Sequence, residues 1–495
     1  MDAAFQAAAF LLPLAIYCRS ASSDPASWDT AEMQSVPYVL GIAHPTGFPL
    51  YTLLGWIFSH VFALGTVAYR LNVFSAMAMS AACLAIYVAA VELRIARPVA
   101  LAASLWFSVT DLIWVHAARA EVHDLALALS AFSVLYGVRY ARTGNSRALF
   151  SMALCWGLAL ATHPIAVWLV FGVCAAIVLA PRRTTLRELG SAGLIVFGCL
   201  LLYAYLPLRS AYIVTHGLDP TVALSGAAGS IVLNYNDPSH WNGFVTEITG
   251  SQFGAREAIW SALTPASLGT GFGAWIGALN TAYGAAGIAL AVGGLAALLK
   301  RDWRTCLTLT IACVAAVPFS YSYAGVEGDP DRYRLLSLWL VPVLMAGAAV
   351  KLSWLDGIRS IAAFVLIALF AGQTYANNQE ASFANRDSAG GRNTIAQAAR
   401  RIPPGAIVVA PWIDATSLAY GEFVDGTFAG RVVVPAWPPD FANDYSAWDK
   451  ARAVYFITPP KLAIPGWKLD VLDSWDSTHV LYRLVRPRLT MTRRS

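Results

Sequence analysis

Eleven apolar runs govern what this chain can fold into. They fall near residues 3–18, 73–93, 98–114, 122–139, 148–162, 163–181, 190–207, 276–298, 305–320, 335–352 and 360–376. Several approach or exceed the roughly 18 residues that cross a bilayer. With 57% hydrophobic and 13% charged residues over 495 positions, and a mean hydropathy of +0.56, the chain is too apolar for a soluble protein of its length. The expected class is a polytopic α-helical membrane protein. The first run (Ala3 to Tyr17) has no basic segment before it and no evident cleavage site after it, so a cleaved signal peptide is not expected. All seven cysteines lie in or beside apolar runs, which indicates no disulfide framework. The net charge of +5 is spread over loop arginines, and no basic tract points to a nucleic-acid partner.

Arginine and lysine placement orients the chain. With the N-terminus inside, the inner turns hold Arg94/Arg97, Arg139/Arg142/Arg147, Arg182/Arg183/Arg187, Lys300/Arg301/Arg304 and Lys351/Arg359, as the positive-inside rule requires. This parity needs residues 47–66 to lie in the interface or re-enter, and 148–181 to be a hairpin broken at His163-Pro164. The outer face then carries the segment 19–46, a short turn at 115–122, a loop from about Arg209 to Trp275, and everything after Ala376. Two domains are expected: a transmembrane domain over 1–376, and over 377–495 a soluble extracytoplasmic module. The second alternates strand-like pieces (406–410, 431–435, 453–458, 479–485) with helix-like ones (392–401, 414–424, 439–450), an α/β pattern.

The segment Trp28 to Tyr51, WDTAEMQSVPYVLGIAHPTGFPLY, carries the chemistry. It sets Asp29 and Glu32 one helical turn apart at the edge of the membrane, where acids are costly unless they pair or work. Asp29 is suited to act as a base toward an incoming hydroxyl, with Glu32 on the same helical face. The plainer alternative is a capping box, with Asp29 as N-cap and Glu32 at N3. His44, ahead of Pro45, either binds a substrate oxygen or fixes the turn.

WDTAE, LGIAHPTGFPLYTLL and AYRLNVFSA (68–76) resemble the first luminal loop of the eukaryotic transmembrane O-mannosyltransferases that modify plexin-type receptors, and of their bacterial relatives. That family belongs to the membrane glycosyltransferase C superfamily. The likeness continues, in order, through ARAEVHDL (118–125), LATHPIAVWLV (160–170), YLPLRS (205–210) and NYNDPSHWNGFVTEITGSQFG (234–254). It implies a polyprenyl-phosphate-linked sugar as donor, with mannose the expected sugar. Transfer to a protein or glycan hydroxyl would occur on the extracytoplasmic side of a bacterial inner membrane, with inversion. Asp29 and Glu32 are then the catalytic pair. His44, Arg119, Glu121, His123, His163, Arg209, Asp237, Arg332 and Arg334 are candidates for substrate binding.

Each candidate has a structural competitor. Glu121 can simply serve a helix dipole, and His123 stands where the family pattern has an aromatic or similar residue. His163 can be a satisfied core histidine. Arg209, Arg332 and Arg334 stand outside against the inside bias, where a guanidinium suits a lipid phosphate or snorkels to headgroups. Asp237 matches a family block in which Asn236 replaces glycine. Asp329 and Asp331 form a DxD that reads more naturally as a turn, so no metal and no cofactor are expected. The 377–495 module has no catalytic motif. Its acids Asp414, Glu422 and Asp425 and its aromatics Trp412, Tyr420, Trp437 and Trp448 suit a noncatalytic acceptor or partner face. A carrier or flippase of lipid-linked sugars is the alternative function, although such proteins show paired broken helices in repeated halves and none is visible here.

Overall fold

The computed structural model describes residues 2–224, 226, 229–262, 264–323, 330–350, 356–387, 390–436 and 438–485. Asp329 and Trp437 lie outside the described residues.

Small side chains dictate how the apolar helices meet. The Val67–Glu92 helix buries Ala76, Ala82, Ala85 and Ala90 in a core shared with Tyr17 of the Asp2–Ser20 helix, Trp106, and Trp339 of the Leu335–Gly347 helix. With no hydrophobic drive between helices in lipid, such residues bring backbones close enough for dispersion contacts. Gly294 shows the limit: a Cβ there would sit 1.7 Å from the Leu344 carbonyl oxygen, so any side chain would force the two helices apart.

Among the described residues, five helical stretches are by length and composition sufficient to cross a bilayer: Asp2–Ser20, Val67–Glu92, Leu186–Thr215, Pro265–Ser320 and Gly357–Arg401. A sixth is the pair Arg97–Ser108 and Asp111–Ala117, bent by 73°; the expected run at 98–114 is therefore broken, not straight. The runs expected at 148–162, 163–181 and 335–352 fall on shorter helices, and that at 122–139 on a helix whose apolar character is diluted by His123, Asp124 and Arg139. The runs at 276–298 and 305–320 share one long helical stretch that breaks at Gly284 and Asp302. His163-Pro164 does interrupt its pair, passing into a 3-10 turn over Pro164–Trp168. Residues 47–66 form a helix of 13 residues, Pro49–Val61.

The C-terminal part contains β1 (Ile407–Ala410), β2 (Val432–Pro435), β3 (Val454–Thr458), β4 (Lys468–Ser474) and β5 (Val480–Val485), in the order β2-β1-β3-β5-β4. β1 runs parallel to β2 and β3, while β3–β5 and β5–β4 are antiparallel. Alternation along the strands sends Val408, Ala410, Val433 and Ile457 to one face and Ile407, Val409, Val432 and Phe456 to the other. The second face packs on Tyr445 and Trp448. The first face is part of one hydrophobic cluster with Met33, Val36, Ala43 and Phe48 of the 19–48 segment. Helix Asp356–Ala384 runs past residue 376, and the α/β part shares its core with the 19–48 segment.

A charged clamp holds this sheet to its helix. His479 sits between Asp414 (Nε2 to Oδ1, 2.9 Å) and Asp476 (Nδ1 to Oδ2, 2.7 Å). The Asp414 hydrogen bond, aided by Asp476, pushes the imidazole from its ordinary 6.5 up to about 9. A pKa raised on folding adds stability that is complete below 6.5 and is lost as pH rises through about 9. Thermal melting of the full chain is therefore expected to fall between pH 7 and pH 10. His479→Gln should remove most of that slope, and an unchanged slope in the variant would dismiss the clamp.

Candidate active site

The segment 19–48 is built around a buried carboxylate. Glu32 is 0% exposed, and a buried charge is tolerated only when paired and hydrogen-bonded. The chain meets that demand by folding back. The His44 backbone N–H donates to Glu32 Oε1 at 2.7 Å, and the His44 ring Nδ1 pairs with Oε2. The return is made through Leu40 and Phe48, both in the left-handed region (φ 51 and 45), a backbone strain that tertiary packing must over-determine. Gly41 allows the approach of the segment around Val232, since a Cβ there would lie 1.8 Å from the Val232 carbonyl oxygen.

Asp29 is placed differently. It is not a cap, because Ser27 occupies the N-cap position of the Trp28–Met33 helix and makes no side-chain cap bond. Its two oxygens are held from two directions: Arg332 Nη1 donates to Oδ2 at 2.8 Å, and Trp412 Nε1 donates to Oδ1 at 2.8 Å. Burial works against its ionisation, but the His44 and Arg332 charges and the two donated hydrogen bonds outweigh it, so its carboxyl is held below the usual range. It is a carboxylate at neutral pH.

Asp29, His44, Glu121, His123, His163 and Arg332 line one cavity of about 150 Å³, closed by Phe48, Thr249, Phe253, Phe319 and Tyr333. Burial alone would push the Glu121 carboxyl up; the His123 ring at 2.7 Å, with His116 and Arg119 behind it, holds it well below its ordinary value. With Nδ1 committed to Glu121, His123 keeps its Nε2 buried and without a hydrogen-bond partner among the described residues. His163 stacks on Phe48 and lies 4.3 Å from His123, centroid to centroid, while its Nδ1 accepts from the Ile165 N–H. At His123, Arg332 and Tyr333 the cavity adjoins a crevice of about 30 Å³ lined by Ala126, Leu127, Leu169, Ala312 and Leu336. Polar groups therefore meet an apolar slot between helices at one guanidinium.

The remaining candidates lie outside that cavity's lining. Arg209 donates to the Leu40 and Val39 carbonyls (2.6 and 3.1 Å) and fixes the first loop. Arg119 reaches His116 and Glu121 behind the cavity. Asp237 accepts from Ser210 (2.7 Å) and Ser239 (2.6 Å) and shapes the turn it stands in. Arg334 pairs with Asp331 at 2.6 Å. Sequence reading placed Trp412 on an acceptor face; the signal that could have linked it to Asp29 is only that an indole N–H needs a partner when half-buried.

Asp29, Glu32 and His44 also offer ligand atoms within 4.8 Å of one another, close enough to hold a cation. Their charge is already met internally, by the Arg332 guanidinium on Asp29 and the His44 ring on Glu32.

The path of the chain matches that of ArnT from Cupriavidus metallidurans. The apo structure gives a TM-score of 0.58 at 12% identity, and the structure bound to undecaprenyl phosphate gives 0.57 at 11%; 96% of each chain is covered in both. The two chains share one fold over nearly their whole lengths. Residues 29–186 match the family described as the protein O-mannosyl-transferase TMEM260 N-terminal domain. Two curated relatives agree. The Dictyostelium discoideum protein O-mannosyl-transferase tmem260 is 24% identical over 71% of this chain, and the Mus musculus protein O-mannosyl-transferase TMEM260 is 29% identical over 37%. The matches span 44% and 27% of those proteins, so the chain spans less than half the length of the curated relatives it matches. The chain is thus similar to the TMEM260 O-mannosyl-transferases over part of its length and shares its fold with ArnT.

Proposed function

We propose that the chain is an inverting glycosyltransferase of a bacterial inner membrane. It takes a sugar, mannose by the relatives' names, from a polyprenyl-phosphate donor to a hydroxyl on a protein or glycan acceptor, on the extracytoplasmic face. The observation that carries this reading is the meeting of Asp29, Arg332 and the apolar crevice at one point. The isoprenoid would occupy the crevice and place its phosphate beside Arg332, with the sugar in the cavity against His123 and His163. The acceptor oxygen attacks the anomeric carbon, its proton passes to Asp29, and the bond to the phosphate oxygen breaks with that oxygen keeping the electron pair. The departing phosphate is already charged, so a guanidinium serves it better than an acid would. Glu32 and His44 hold the loop that carries Asp29.

The test is incubation of the purified chain in nanodiscs with a panel of polyprenyl-phosphate sugars, measuring free polyprenyl phosphate. Release with a mannosyl donor is expected, and no release with any donor would sink the reading in favour of a carrier. The same assay addresses the cation. With the acid charges met by Arg332 and His44, an excess of chelator should leave turnover unchanged. A loss restored by added divalent ion would instead make Asp29, Glu32 and His44 a metal centre.

A further inference from the structure

We infer that Trp412 of the C-terminal α/β part is the positioning residue that orients the Asp29 carboxylate, so that this part completes the active site. The inference rests on Asp29 acting as base. The Trp28–Met33 helix has six residues, too few to hold its side chains rigidly without tertiary support. That support is the Trp412–Phe423 helix. Its Ser417 hydroxyl donates to the Ala26 carbonyl at 2.8 Å, and its Tyr420 hydroxyl accepts from the Ala68 N–H at 3.2 Å. At its first turn the indole N–H reaches Asp29 Oδ1 at 2.8 Å, while Arg332 holds Oδ2. The indole itself is fixed edge-on against His44 (5.8 Å) and Tyr235 (5.9 Å), so the donor cannot swing away.

The chemistry favours tryptophan here. An indole N–H only donates, so it fixes the carboxylate plane without competing for the proton that Asp29 must take. A hydroxyl in its place could accept or relay that proton. Two donors on different oxygens fix the rotation about the Cβ–Cγ bond and leave each oxygen a further lone pair that can take a proton.

The test compares Trp412→Phe, which keeps a ring and loses the N–H, with Trp412→Gln, which restores a donor at similar reach. In the Phe variant kcat should fall about tenfold with the donor KM unchanged. The acid limb of its pH profile should also rise by about one pH unit, the value of one neutral hydrogen bond to a carboxylate. The Gln variant should keep the wild-type limb. A role limited to docking the two parts would lower stability and kcat in both variants without moving the limb. Wild-type kcat and limb in the Phe variant, with Asp29→Asn inactive, overturn the inference alone. Activity in Asp29→Asn overturns the base assignment instead. Should the Phe variant fail to fold, the Gln variant decides: wild-type kcat with the wild-type limb supports the inference, and a lowered kcat with an unmoved limb overturns it.

Discussion

Asp29→Asn is expected to lower turnover about 10³-fold, the usual span of a lost general base, while the protein folds. The amide is isosteric and still accepts from Trp412. It loses its ion pair with Arg332, but Asp29 is 26% exposed, so the stability cost should stay near 1–2 kcal/mol, below that of breaking a fully buried pair. The measurement is release of polyprenyl phosphate under saturating donor, with melting as a folding control. Wild-type turnover in the variant would remove Asp29 from the mechanism. Glu32 cannot replace it, because the His44 backbone N–H and ring both claim that carboxylate and it is fully buried.

Arg332→Ala should be nearly as severe, with a different signature. Arg332 stands where the cavity and the crevice meet, so its loss should raise the donor KM as well as lower kcat, by about 10²-fold in kcat/KM. Arg332→Lys should recover only part of this, since an ammonium supplies charge but not the planar fork that can serve a carboxylate and a phosphate oxygen together. An unchanged donor KM in the Ala variant would show that the arginine serves Asp29 alone and that the phosphate sits elsewhere.

Much of the fold was legible because hydropathy and strand alternation are local properties. Four of the five strands fall where alternating or continuous β-branched runs stand in the sequence. β4 (Lys468–Ser474) was missed because it is an edge strand whose side chains are mostly exposed or half-exposed. Edge strands carry charge to discourage further pairing, and that charge hides them. The bend between Ser108 and Asp111 was hidden for the opposite reason: the residues on both sides of it are apolar, and hydropathy does not see direction. In the site, Asp29, Glu32, His44, Glu121, His123 and His163 were found from two short stretches and one proline step. The three candidate arginines looked alike in sequence, yet Arg209 serves backbone carbonyls, Arg334 pairs with Asp331, and Arg332 meets Asp29.

What the residues alone determined is the material: apolar helices for a membrane, a loop with two acids and a histidine at its edge, and an α/β segment after it. Each follows from interactions within one helical turn or one strand, which composition and period record. What only the tertiary structure decided is the company Asp29 keeps. Arg332 lies 303 positions away and Trp412 lies 383 positions away, and contacts across such separations are set by how whole elements pack. The same packing gave the sheet and the 19–48 segment one shared core, and so brought an indole from the far end of the chain to the proposed base.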